Sequence, residues 1–140
     1  MKRALDDGYE LDDDPTRLDR DAVHSYVSEE SYWATGRPRD VMDELIDSAA
    51  RVVGLYHDGA QVGFSRTISD GYTQSYLADV YVLSDHRGRG LGTQLVRFTV
   101  DEGPFAHTKW FLHTDDAHSL YRKFGFDSPG PRALERWRRE

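Results

Sequence analysis

Arg87, Gly88, Arg89, Gly90, Leu91, Gly92 and Thr93 run on from a strand-like stretch, and their types and spacing suit one chemistry, the binding of an anion. Glycine at every second position removes the Cβ atoms that would hold a bulky anion off the backbone, while Arg87 and Arg89 add positive charge beside it. From Leu91 the apolar residues change period: Leu91, Leu95 and Phe98, with Val96 beside them, share a helical face. A helix beginning at about Gly90 points unpaired N–H groups and the positive end of its dipole at the turn. The combination reads as a pyrophosphate cradle. Two better-known phosphate motifs fail on spacing: Thr93 stands where the third glycine of G-x-G-x-x-G belongs, and G-K-[ST] occurs nowhere.

Just upstream, Leu77 to Leu83 are nearly continuously apolar and aromatic, as in a strand covered on both faces. Asp79 interrupts them. A carboxylate in such a strand is expensive to bury unless it meets a cation or hydrogen bonds, so it is a candidate base or amine anchor. The same placement also fits a structural aspartate bound to a backbone amide or to Arg66.

The turn Arg87 to Gly92 resembles the [RQ]-x-x-G-x-[GA] element of the GNAT superfamily of acyl-CoA-dependent N-acetyltransferases. Thr114 to Phe126 is similar to the family's N-x-x-A-x-x-L-Y-x-x-x-G-F element, matching at Ala117, Leu120, Tyr121, Gly125 and Phe126, with Thr114 in place of the usual asparagine. The resemblance implies that Arg87 to Thr93, together with Thr114, hold the pyrophosphate side of coenzyme A. It implies that the backbone of Val80, Tyr81 and Val82 pairs with the pantetheine arm, and that Tyr121 is the acid that assists the leaving thiolate. It also places Tyr32 and Trp33, in the connection between the first two helices, over the acceptor, where they line an amine pocket or simply pack under a loop. The strand Tyr76 to Val82 looks like that of diamine acetyltransferases, where an adjacent Glu-Asp pair meets the polyamine. Here Ala78 occupies the glutamate position.

The expected activity is direct transfer of an acetyl group from acetyl-CoA to a primary amine of a small molecule. An alkylammonium has a pKa near 10.4, so at pH 7.4 about one molecule in a thousand is neutral, and removing the proton costs roughly 4 kcal/mol. A base or water chain has to take it. Two alternatives are a GNAT-fold module that binds acyl-CoA without turnover, and a GNAT-type toxin acetylating aminoacyl-tRNA.

Composition narrows these. The chain has 140 residues, the size of a single domain spanning 1–140. It has no cysteine, which excludes a disulfide framework, a thiolate zinc site and a cysteinyl acyl intermediate. A net charge of −7 argues against nucleic acid as a partner and suits a cationic acceptor, although acidic excess also serves solubility alone. The N-terminal residues lack an apolar leader core and no long uncharged apolar run occurs, so no membrane association and a cytoplasmic, monomeric or homodimeric protein are expected. His113 and His118, with Asp115 and Asp116 between them, match no standard ligand spacing, so no metal is expected.

The elements that must position these residues follow from pattern. Residues 1–18, rich in aspartate, read as a flexible arm or one edge strand near Tyr9 to Leu11. Asp19 or Asp21 caps a first helix carrying Val23, Tyr26 and Val27, and Asp40 caps a second with Met42, Leu45, Ile46 and Ala49. Arg51 to His57 and Ala60 to Ser69 form a hairpin about Asp58-Gly59, and the motif strand completes a meander. Thr108 to His113 is a strand parallel to it, a helix follows over Asp116 to Phe124, and a last strand closes the chain, with Leu134 and Trp137 covering the core. The expected class is α+β: a mixed sheet, mostly antiparallel meander with one splayed parallel pair, and helices on both faces.

Overall fold

The computed structural model describes residues 1–139. Six strands form one sheet in sequence order: β1 (Lys2–Ala4), β2 (Tyr9–Asp12), β3 (Arg51–His57), β4 (Ala60–Ser69), β5 (Gln74–Val82) and β6 (Lys109–Phe111). Neighbours are antiparallel from β1 to β5, and β5 pairs with β6 in parallel. The N-terminal residues are therefore neither an arm nor an edge strand alone. They make a two-stranded addition in which β2 lies inside the sheet, Tyr9 and Leu11 are buried, and Asp12 is buried against Arg17 Nη1 at 3.0 Å.

Two layers of helix cover the sheet, as the alternation of buried residues requires. On one face α1 (Arg20–Glu29) and α2 (Arg39–Ser48) bring Val23, Val27, Met42 and Ile46 onto Val52, Phe64 and Tyr81. On the other, α3 (Leu91–Val96) and the π-helical turn that continues it (Arg97–Asp101) set Leu91, Leu95 and Phe98 on Leu11, Val53 and Leu55. Asp19 caps α1 by accepting from Ala22 N–H at 3.0 Å. At α2 the cap position is Pro38, and the Asp40 carboxylate, already inside the first turn, accepts only from Val41 N–H. The β3–β4 turn has Asp58 at φ 51° and Gly59 at φ 80°, as a type I′ hairpin demands.

Two features aim the functional residues. Pairing of β5 with β6 stops after Tyr76–Phe111, so Leu77 to Val82 have no strand beside them on that edge, and the parallel pair splays. Within β5 the register against β4 slips, Phe64 facing Tyr81 but Arg66 facing Ala78. The slip is a β-bulge, and it exchanges the faces. Leu77 packs with Val96, Val100 and Tyr121, whereas Tyr81 packs with the α1 and α2 residues.

After β6 the chain forms a short helix α4 (His118–Arg122) and ends it at Gly125, φ 85°, where Gly125 N–H reaches Arg122 C=O and Phe126 N–H reaches Tyr121 C=O. No strand follows among the described residues, and Leu134 and Trp137 are 96% and 80% exposed, so they do not cover the core. The tail from Arg132 offers Ala133, Leu134 and Trp137 among six arginines and glutamates, too little to bury.

Sheet packing yields a first expected result. A methyl group on Gly63 would lie 2.9 Å from Tyr81 C=O and 3.0 Å from Leu55 Cβ, both fixed in the sheet. Gly63→Ala should cost about 1–3 kcal/mol, which in a domain of this size lowers Tm by roughly 3–9 °C. An unchanged melting curve would show that β4 can move away from β5.

Candidate active site

The β5 bulge centres on Asp79. Its φ of 52° is the left-handed region, unusual for any residue but glycine and tolerated best by Asp and Asn. That backbone turn drives the carboxylate into the α1–α2 side, where it is 5% exposed and accepts three hydrogen bonds of 2.8 Å. Trp33 Nε1–H donates to Oδ1, while Arg37 Nη1–H and Arg66 Nε–H both donate to Oδ2. Burial alone pushes the carboxyl up, but the Arg66 and Arg37 guanidiniums outweigh it and hold Asp79 below the usual carboxylate range. Of the two readings open from sequence, the ion pair to Arg66 is what the structure contains. A carboxylate so held is a weaker base than an ordinary aspartate, which favours the structural reading.

At the far end of β5 the turn into α3 has Gly88 at φ 80° and Gly90 at φ 76°, and a Cβ on either would meet nothing within 4 Å. Gln94 N–H closes on Gly90 C=O at 3.2 Å, so the helical ladder begins there. The backbone N–H groups of Gly88, Arg89, Gly90, Leu91, Gly92 and Thr93 have no acceptor among the described residues. This is an open row of donors. Arg87 does not join it: Nε–H donates to Val82 C=O at 2.9 Å and Nη2–H to Tyr26 Oη at 3.0 Å, tying the turn to β5 and α1. Arg89 is exposed and has no hydrogen-bond or ion-pair partner among the described residues. Leu91 is buried and contributes backbone alone. Of the strand residues, Val80 and Val82 pack on the α3 side, and Tyr81 is buried in a stack with Tyr26 at 3.9 Å.

Tyr121 rises from α4 into the cluster of Leu77, Val96 and Val100, edge to face with Phe126. It is 8% exposed, yet its hydroxyl has no protein partner and is not sealed from solvent. Burial pushes the phenol up to about 12, with smaller contributions from Tyr32 and Asp116. The α1–α2 connection closes over it. Tyr32 Oη accepts Asp115 N–H at 2.9 Å, and Tyr32 packs edge-on against Trp33. Thr114 lies in the turn before α4, its Oγ1 accepting Ala117 N–H at 3.2 Å and lying 3.4 Å from Asp116 Oδ1.

Sequence reasoning missed three members of this cluster. Arg37 lies in a loop with nothing in its neighbourhood to mark it. Tyr76 Oη is 2.6 Å from His113 Nδ1, and His113 Nε2 is 2.7 Å from Glu135, a hydrogen-bonded chain from β5 to the C-terminal tail. The burial of Tyr76 and its closeness to Glu135, Arg66 and Asp79 put this chain beside the ion-pair cluster. A hollow of ≈ 380 Å³ lined by Ile68, Ser69, Gln74, Tyr76 and Phe111 adjoins it, whereas a larger one of ≈ 560 Å³ lies near Asp13 and Arg51, far from this chemistry. His118 Nε2 bonds to Thr114 C=O at 2.9 Å, and no group of three or more metal-ligating side chains gathers among the described residues. No helix there is long and apolar enough to cross a membrane.

Comparison with known proteins reaches the same place by another route. Residues 48–128 match the sequence pattern of the acetyltransferase (GNAT) domain. A Gibberella zeae protein named provisionally as an acetyltransferase is 29% identical, over 84% of this chain and 78% of its own length. A crystal structure from Xanthomonas campestris pv. campestris, a protein provisionally assigned as a GNAT acetyltransferase, superposes with a TM-score of 0.87 at 34% identity, covering 92% of each chain. A Staphylococcus aureus protein of unknown function shares the fold alone, at 22% identity and a TM-score of 0.75 over 94% of this chain and 99% of its own. None of these names points to diamines. With the six-stranded mixed sheet, the splayed β5–β6 pair and the glycine turn in register with that domain, the chain belongs to the GNAT family of acetyltransferases.

Proposed function

We propose that this protein transfers an acetyl group from acetyl-CoA directly to a primary amine of a small molecule. The observation that carries the reading is the open row of backbone donors from Gly88 to Thr93, set at the end of a β5 edge that no strand covers. A pyrophosphate fits such a row, because unpaired N–H groups and the positive end of the dipole at a helix start bind anions. An extended amide-bearing arm fits the bare edge of Leu77 to Val82 by strand addition. Val82 is an exception within it, since its carbonyl already accepts from Arg87. Acetyl-CoA supplies an activated thioester, and this chain supplies position and a proton donor. Tyr121, protonated at neutral pH with its hydroxyl free, is the donor facing the leaving group. Trp33 and Tyr32 bound the acceptor side, and Asp79 holds Trp33 there.

Gly92→Glu tests the cradle cleanly. Gly92 has no positive φ, and a Cβ there meets only Leu120 Cδ2 at an ordinary 3.8 Å, so the substitution adds no strain. A carboxylate in the first helical turn even stabilises the helix by roughly 0.3–1 kcal/mol. Within the donor row, however, it repels a pyrophosphate. Tm should hold or rise while acetyl-CoA affinity falls by on the order of 100-fold, a loss of about 3 kcal/mol. Unchanged affinity by calorimetry would remove the coenzyme from this turn.

A further inference from the structure

We propose that the acceptor carries a carboxylate beside its amine, as a free amino acid does, and that Arg66 and Arg37 bind it. The proposal rests on the acetyl-transfer reading of the same site and narrows its substrate class.

Local charge motivates it. Arg66 and Arg37 both donate to one oxygen of Asp79, and the other oxygen goes to Trp33, a neutral donor, so two guanidiniums share one carboxylate. The next acid, Glu135, is engaged by His113. One positive charge in this cluster is uncompensated, although the whole chain carries −7. Arg66 is 7% exposed, and its Nη1 and Nη2 have no acceptor among the described residues. These atoms are not among the sealed polar atoms without a partner, such as Tyr56 Oη and Thr67 Oγ1, so the little exposure Arg66 keeps includes them. Arg37, whose side chain is 18% exposed, likewise spends only Nη1 on Asp79 and Met42 Sδ.

A guanidinium held by one nitrogen, its planar fork unspent and not sealed from solvent, is built for an anion, and the geometry matches a carboxylate bidentately. Asp79 then acts as a splint: it fixes Nε of Arg66 and Nη1 of Arg37, so the remaining donors stand ready without loss of side-chain freedom on binding. A plain alkylammonium would meet net repulsion here. An amine bearing a carboxylate brings the missing negative charge and leaves its nitrogen beside Trp33 and Tyr76.

The test has two arms on the full chain. In the first, N-acetyl derivatives of the twenty amino acids are titrated against their uncharged amides, observing arginine side-chain Nε–H signals by NMR, with Arg66→Lys identifying the Arg66 signal. At least one acid should shift the Arg66 signal and bind about 100-fold more tightly than its amide, the loss expected for deleting charge-assisted hydrogen bonds. Acids that bind no better than their amides overturn the proposal. In the second, free amino acids and their amides are compared as acceptors with acetyl-CoA. Equal kcat/KM for acid and amide also overturns it. If acids bind selectively but no amine is acetylated, the subsite stands and the acetyl-transfer reading falls.

Discussion

Tyr121→Phe should lower kcat by about 10²–10³, the range for a lost hydrogen-bond donor to developing charge, while acetyl-CoA affinity and Tm stay near those of the parent. The separation is expected because the hydroxyl makes no hydrogen bond within the protein, so its removal orphans nothing, and the ring keeps its contacts with Leu77, Val96, Val100 and Phe126. With its phenol pushed up to about 12 by burial, Tyr121 stays protonated throughout any practical assay range. Transfer of its proton to a thiolate whose parent thiol has a pKa of about 8.5 is uphill by roughly 5 kcal/mol. The phenol therefore assists by hydrogen bonding to charge as it develops. An alkaline fall in rate below pH 10 cannot belong to Tyr121 and should persist in the variant. The folded value lies above the unfolded one, so the matching stability contribution is intact below about pH 10 and is lost only as pH climbs towards 12. Equal kcat in the two proteins would reduce Tyr121 to a packing residue.

The glycine turn and the α4 motif were legible because each announces itself within a dozen residues. Alternating glycines followed by a change of period mark a strand, turn and helix whatever surrounds them, and Asp58-Gly59 marks its hairpin by the same local logic. The parts that were not legible depend on partners distant in sequence. β2 holds only two core residues, Tyr9 and Leu11, between acids, and its Asp12 is buried because Arg17 comes back to it. No window of the sequence distinguishes that from an acidic arm. The bulge at Asp79 is hidden for a different reason: bulges are usually flagged by glycine, and here aspartate adopts the left-handed conformation itself. Composition could not reveal this cluster, since an excess of acid over the whole chain says nothing about one place where arginines outnumber carboxylates two to one.

The bulge also explains how one strand serves both halves of the site. Before it, β5 sends Leu77 towards Tyr121; after it, Tyr81 packs towards α1 and α2. The carboxylate at the crossing point draws Trp33 and Arg37 from the α1–α2 connection onto β5, while Arg87 ties the phosphate turn back to Val82 and Tyr26. The α1–α2 connection and the glycine turn are thus fixed to opposite ends of one short segment, and a change in the bulge should be felt at both.

Asp79→Asn is the direct probe of that segment. Asparagine tolerates the left-handed backbone about as well as aspartate and keeps the shape, so the substitution removes charge while sparing conformation. Its amide offers one oxygen and two N–H groups to three donors, which leaves the buried Arg66 and the half-buried Arg37 without a counter-charge. Breaking such a pair costs about 3–5 kcal/mol. At the lower end Tm falls by roughly 6–12 °C. The pH dependence follows from the depressed folded pKa: the contribution is present above the unfolded value of about 3.9 and is lost as pH falls through the folded value. The parent should therefore lose its advantage over the variant as melts are taken from pH 6 down to pH 3. Activity should fall for every acceptor alike, because Trp33 and both arginines lose their common anchor. A variant that melts with the parent but is impaired only in kcat/KM for the amine, less so at high pH, would return Asp79 to the role of base.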